Sequence, residues 1–207
     1  MQARLIFFDY LKSEFIPRLN SLGFCGDDKT FRRIRGAVIS MVTLQEHRGG
    51  GRCCIQLAMH LAFLPASWAR HILGVDKLTA ADCEFQWRLN PPRKHDYWWP
   101  YQRWFQSPAR CANHLIRTFL QQGEAVFERY QSVEDFAGLF SPDDFTSGAW
   151  LKAPHGLKPQ RGALTMARIC IQMGRPAEAK AFARAGIGLI APTTAMAAEY
   201  QHILKAA

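Results

Sequence analysis

Residues 83–99 constrain the fold more than any other stretch of this chain. They read Cys-Glu-Phe-Gln-Trp-Arg-Leu, then an Asn-Pro-Pro turn, then the aromatic run Asp96-Tyr97-Trp98-Trp99. Phe85, Trp87 and Leu89 alternate with Glu84, Gln86 and Arg88, the period of a strand with one apolar and one polar face. Such a strand needs pairing partners and a cover on one side only. The partners stand upstream. Thr30–Arg35 is short and basic, and residues 37–46 are rich in β-branched side chains (Val38, Ile39, Val42, Thr43). Residues 52–64 alternate Ile55, Leu57, Met59 and Leu61 with Cys54, Gln56, Ala58 and His60. The connections are short, and His47-Arg48-Gly-Gly-Gly is a hairpin turn, so the pairing is antiparallel.

Helical periods flank these strands. Leu5, Phe8, Leu11, Phe15, Leu19 and Leu22 mark an opening amphipathic helix, with Pro17 kinking it or starting its last turn and Gly23 ending it. A short helix is expected around residues 68–73. Beyond Tyr101, Trp104, Cys111, Leu115, Phe119 and Phe127 share one face of a long helix that Gly123 interrupts. Ser132 and Asp135 form a capping pattern for another helix. Residues 141–162 are Pro/Gly-rich and read as a long loop. Residues 163–173 and 177–190 pair around Gly174-Arg175-Pro176, with small residues at Ala167, Ala179, Ala183 and Ala185 in a loosely tetratricopeptide-like unit. One such unit cannot bury its own faces, so it reads as a brace. The expected fold is α+β: an antiparallel sheet of four or five strands with helices on one face, plus a C-terminal helical hairpin. Residues 1–130 form the sheet domain and 131–207 a helical extension packed on it as one unit.

Composition narrows the function. Apolar residues make up 48% and aromatic residues 12%, enough for a substantial core. No apolar run approaches the roughly 18–20 residues of a membrane span, and the N-terminus lacks a signal-peptide pattern. The six cysteines (25, 53, 54, 83, 111, 170) have no Cys-x-x-Cys spacing, and adjacent Cys53 and Cys54 point to opposite strand faces. They read as free thiols in a reducing cytoplasm, not as a zinc site. No His-Glu-x-x-His, phosphate-loop, Gly-x-Ser-x-Gly or dinucleotide fingerprint occurs, so the sequence calls for no metal, no cofactor and no catalytic residue.

Gly23-Phe24, Thr30-Phe31-Arg32-Arg33, Gln45, Ile55-Gln56-Leu57, Cys83 with Arg88-Leu89, and Asp96-Tyr97-Trp98-Trp99 make one pattern. Over roughly residues 5–125 the chain resembles the bacterial domain-of-unknown-function family 4304. The resemblance implies an antiparallel sheet with helices on one side and carries no activity. The chain departs from that pattern at Gln45-Glu-His-Arg48, where a Gln-Lys-Ser-type turn is usual. It departs again at Gln86, where the first arginine of an Arg-x-Arg pair is expected.

Three candidate surfaces follow. If the strands are neighbours, Gln45, Gln56, His60, Glu84, Gln86 and Arg88 share the polar sheet face, where amides and charges can hydrogen-bond a ligand or peptide. Asp96, Trp98, Trp99 and Arg103 form an aromatic loop of the residue types that carry interface energy. Arg32, Arg33, Arg35, Arg48 and Arg52 are a basic set suited to nucleic acid. With 26 basic against 17 acidic residues the formal charge is +9, which suits an acidic partner. The expectation is a cytoplasmic, non-catalytic protein-binding module, of the immunity type that neutralises a bacterial toxin or effector. The alternatives are nucleic-acid binding through the arginines, or an enzyme using His60 and Glu84 as base and acid. The oligomeric state is not legible in the sequence.

Overall fold

The computed structural model describes residues 2–27, 29–66, 72–104, 107–152, 158–191 and 194–206. The chain opens with helix α1 (Gln2–Tyr10), a wide π-helical turn (Leu11–Phe15) and helix α2 (Ile16–Ser21). Its buried stripe is Phe7, Leu11, Phe15 and Leu19, while Leu5 is exposed and Phe8 only half-buried. A strict four-residue spacing drifts about 40° per turn on an ideal α-helix, and the wide turn takes up part of that drift. It ends just before Pro17, which takes a first-turn position of α2, where its missing N–H costs nothing. Gly23, at φ 82°, then closes the helix, with the Phe24 N–H donating to the Leu19 carbonyl at 2.9 Å.

Six strands among the described residues form one antiparallel sheet: β1 (Cys25–Gly26), β2 (Thr30–Arg35), β3 (Val38–Glu46), β4 (Arg52–Leu61), β5 (Phe85–Arg88) and β6 (Trp99–Pro100). The order is β1-β2-β3-β4-β5, and β6 pairs with β4 beyond the end of β5. Register sets the faces. Val42, Leu57 and Trp87 are aligned across β3, β4 and β5, as are Thr43, Gln56 and Arg88. The first row belongs to the helix-covered side with Ile55, Met59, Phe85 and Trp99, and the second to the polar side. The fold is α+β, as the alternation indicates.

Helix α3 (Pro108–Thr118), a second wide turn (Phe119–Gly123) and helix α4 (Glu124–Arg129) lie against the apolar face. A Cβ on Gly123 would come within 2.7 Å of the Phe119 ring, so the glycine makes room for that ring. Phe119 meets Phe15 edge-on at 5.0 Å, bringing the two wide turns together. Trp104 does not join this helix: it precedes Pro108 and is 96% exposed.

The loop expected at 141–162 contains structure. Ser141 and Asp144 form a capping box for a short helix (Pro142–Ser147), like that of Ser132 and Asp135 on the helix Val133–Ala137. These are α6 and α5 respectively, and a single 3-10 turn, Ala149–Lys152, follows α6. Reading proline as a breaker misled here, because proline is well suited to the first turn of a helix. Helices α7 (Pro159–Gln172), α8 (Pro176–Ile187) and α9 (Ala195–Ala206) complete the chain. The short helix expected around residues 68–73 falls mostly on residues 67–71, outside the described residues. One apolar cluster runs from Phe7 through Phe85 and Phe136 to Ile203. No described helix is long and apolar enough to cross a membrane.

Candidate functional site

Pairing places Gln45 beside Cys54, Gln56 between Arg88 and Thr43, Gln86 beside Ala58, which in turn pairs with Met41, and His60 beside Ile39. This face is not uniformly open. Leu78, Ala80 and Cys83 close over Ile39, Met41 and Ala58 in a second small core, with Leu73 and Val75 against it. That cover divides the sequence-derived residues into two groups.

His60 and Glu84 lie under the covered half. His60 is 1% exposed, its Nε2 lies 3.1 Å from the Leu64 carbonyl, and burial pulls its pKa below the usual value. The Glu84 carboxylate is fully shielded and accepts a two-pronged pair from Arg161 on α7, Nε at 2.8 Å and Nη2 at 2.7 Å. Its partner comes from a distant helix, which strand alternation alone could not reveal.

Gln45, Gln56, Gln86 and Arg88 lie toward the open half. Gln56 Nε2 donates to Gln86 Oε1 at 2.9 Å, and Gln86 Nε2 donates to the Cys83 carbonyl at 2.9 Å. Gln45 is exposed, with its Oε1 3.7 Å from Cys54 Sγ. Burial pushes the Cys54 thiol up to about 11, so it stays protonated near neutral pH.

The aromatic loop rises at this open end. Asn90 ties its base: Oδ1 accepts the Tyr97 N–H at 2.7 Å, and Nδ2 donates to the Arg88 carbonyl at 3.0 Å. Trp99 turns inward, fully buried, and its indole N–H donates to His114 Nδ1 at 3.2 Å. Trp98 turns the other way and is only half-buried. The Arg88 guanidinium lies 5.0 Å and that of Arg52 5.5 Å from its ring centre, within cation–π range. His47 meets the same ring edge-on at 5.0 Å, with its Nε2 2.8 Å from Arg52 Nη2. Asp96 Oδ1 stands 3.6 Å from Arg88 Nη2. Arg103 belongs elsewhere, lining a hollow of about 590 Å³ with Ala3, Gln102 and Trp104.

The basic set is dispersed. Successive residues of β2 alternate faces: Arg32 donates to the Leu78 carbonyl at 2.7 Å on the polar side. Arg33 is 4% exposed on the other side, its guanidinium 4.6 Å from the Phe24 ring, and Arg35 pairs with Glu128 at 3.4 Å. Arg48 is exposed in the glycine-rich turn, and Arg52 is the member that reaches Trp98.

The open half therefore gathers Trp98, Arg88, Arg52, His47 and Asp96 over a floor of paired amides. Sequence reading omitted His47 from this group. The available signal was its position at the end of β3, directly across the hairpin from Arg52, where its N–H bonds the Arg52 carbonyl at 2.9 Å.

A family model described as a domain of unknown function (DUF4304) matches residues 15–127, a span that includes every residue of this cluster. No curated protein and no solved structure matches the chain.

Proposed function

We propose, from the premise that the chain belongs to the DUF4304 family, that it is a non-catalytic protein-binding module that caps a bacterial toxin or effector in the cytoplasm. The observation that carries this reading is the half-buried Trp98 flanked by Arg88 and Arg52 beside a polar sheet face. Tryptophan and arginine dominate binding energy at interfaces when a partner seals them from water. A ring already held by two guanidiniums and an imidazole loses little side-chain freedom on binding.

Acid–base chemistry at His60 and Glu84 has less support, because His60 is buried under the cover and the Glu84 carboxylate is committed to Arg161. Nucleic-acid binding through β2 has less support because Arg32, Arg33 and Arg35 are divided between two faces and engaged by Leu78, Glu128 and aromatic rings. The formal charge of +9 favours an acidic partner.

The test is a tagged pull-down from the native cell at moderate salt, with and without nuclease, repeated with Trp98→Ala and Arg88→Ala. The reading expects a stoichiometric protein that survives nuclease and binds each variant at least about tenfold more weakly, near 1.4 kcal/mol, with unchanged circular dichroism. Equal binding by both variants removes this surface from the proposal. Material lost on nuclease treatment, with affinity falling steeply in salt, points to nucleic acid instead.

A further inference from the structure

The Arg88 fork is only half used. Its Nη1 is buried and finds no hydrogen-bond partner among the described residues. Its Nη2 reaches Asp96 Oδ1 at 3.6 Å, longer than a hydrogen bond. The side chain is nevertheless 28% exposed, and Nη2, beyond hydrogen-bond distance of Asp96, is the donor that a carboxylate from outside can take.

Asp96 itself is unusual. It is 76% exposed and adopts φ 46°, a left-handed conformation that non-glycine residues seldom take. Arg93, at φ 62°, is the other such residue among those described, and both lie in the loop that Asn90 ties down. Aspartate enters this conformation more readily than most side chains. Here the conformation holds a carboxylate near an arginine without completing the pair.

We infer that the open end of the polar face recognises a carboxylate: Arg88, braced on Trp98, takes an acidic side chain from a partner protein, and Asp96 is the stand-in that it displaces. This rests on the protein-binding reading and adds the chemistry of the group bound. Charge supports an acidic occupant, since Arg88 and Arg52 together exceed the single charge of Asp96. A protein carboxylate is favoured over a nucleic acid because two guanidiniums already lie on the Trp98 ring that a base would need for stacking.

The probes are hexaglutamate, hexaglutamine and a charge-matched oligothymidylate, titrated into the full chain. The readout is the NMR signals of the Trp98 indole N–H and the Arg88 Nε–H, assigned with Trp98→Phe and Arg88→Lys. Hexaglutamate should shift both signals saturably at millimolar concentration, and hexaglutamine should leave both unmoved. Asp96→Asn should tighten hexaglutamate about twofold to fivefold, the upper range of one exposed charge pair. Asparagine also tolerates the left-handed conformation, so this exposed replacement removes the charge and keeps the loop. Arg88→Lys should weaken binding about tenfold or more, because a lysine cannot present a planar fork. Thermal melts by circular dichroism verify that each variant is folded.

The inference is overturned if hexaglutamate gives no saturable shift in Asp96→Asn, if that variant binds no tighter than the wild type, or if oligothymidylate binds more tightly than hexaglutamate. Should that happen while the captured partner still depends on Trp98 and Arg88, the protein-binding reading stands and only the carboxylate is wrong. Loss of that dependence overturns both.

Discussion

Position within the fold, not residue type, decides what each candidate side chain can do. His60 is the clearest case, because its ring is enclosed by apolar cover with Glu84, Asp82 and Arg161 near enough to act on it. The two carboxylates favour the charged ring and the arginine opposes it, yet burial prevails and the pKa is lowered. In the unfolded chain the ring takes its proton near pH about 6.5, while the native ring resists until the pH is lower. Through that interval the unfolded state binds more protons, so stability is complete above it and declines as pH falls. Denaturant midpoints should therefore drop as the pH falls below about 6.5, and His60→Gln should flatten part of that drop. An unchanged slope in His60→Gln would place the acid sensitivity at other groups. Arg33 makes the same point about charge: spaced like a nucleic-acid contact, it lies between Phe24 and Phe127 as a packing element.

At the scale of elements, a buried two-pronged polar link joins α7 to the end of the sheet leading into β5. The Glu84 side chain is fully buried and Arg161 is its two-pronged partner. Removing the arginine would leave a buried charge unpaired, so Arg161→Ala should cost about 3 kcal/mol or more. The exposed pair of Arg18 and Glu14 is the control, and Arg18→Ala should stay within about 1 kcal/mol. Equal shifts in melting temperature for the two variants would show that the α7 link contributes nothing special. Elements of this kind mark where sequence reading ends. Strands β2 to β5 were legible because alternation is local, and the pairing faces followed from it. The cover over His60 and the partner of Glu84 were not, since Leu78 and Arg161 reach the face from distant segments. Strands β1 and β6, two residues each, are too short to carry any period. The helix at Pro142–Ser147 was hidden by its own proline, although Ser141 and Asp144 carried the same capping signal that identified Ser132 and Asp135.

For the whole molecule, the issue is whether the last third of the chain is an appendage or part of the folding unit. The family match ends at residue 127, but the packing does not. Phe136 of α5 lies 4.7 Å from Phe85 on β5 and 5.4 Å from Tyr130, while Phe145 meets Phe182 at 6.0 Å. Tyr200 of α9 donates its hydroxyl to the Gln160 carbonyl, and a Cβ on Gly186 would clash with the Tyr200 hydroxyl oxygen and ring. Helices α7, α8 and α9 thus interlock, and Arg161 joins them to the sheet. A chain ending at residue 130 would uncover Phe85 and strip Glu84 of its partner, and each fully buried aromatic is worth about 1.5–3 kcal/mol. Losses of that size compete with the few kcal/mol by which a domain is stable. The truncated chain should therefore lack near-ultraviolet dichroism and bind a hydrophobic dye. The full chain should unfold in one transition, with tryptophan fluorescence and far-ultraviolet dichroism superimposing. A truncated chain with native-like near-ultraviolet bands, or two separated transitions in the full chain, would make residues 131–207 an independent unit. The tie at Glu84 would then be a contact between neighbours, and the open half of the polar face would owe its shape to the sheet alone.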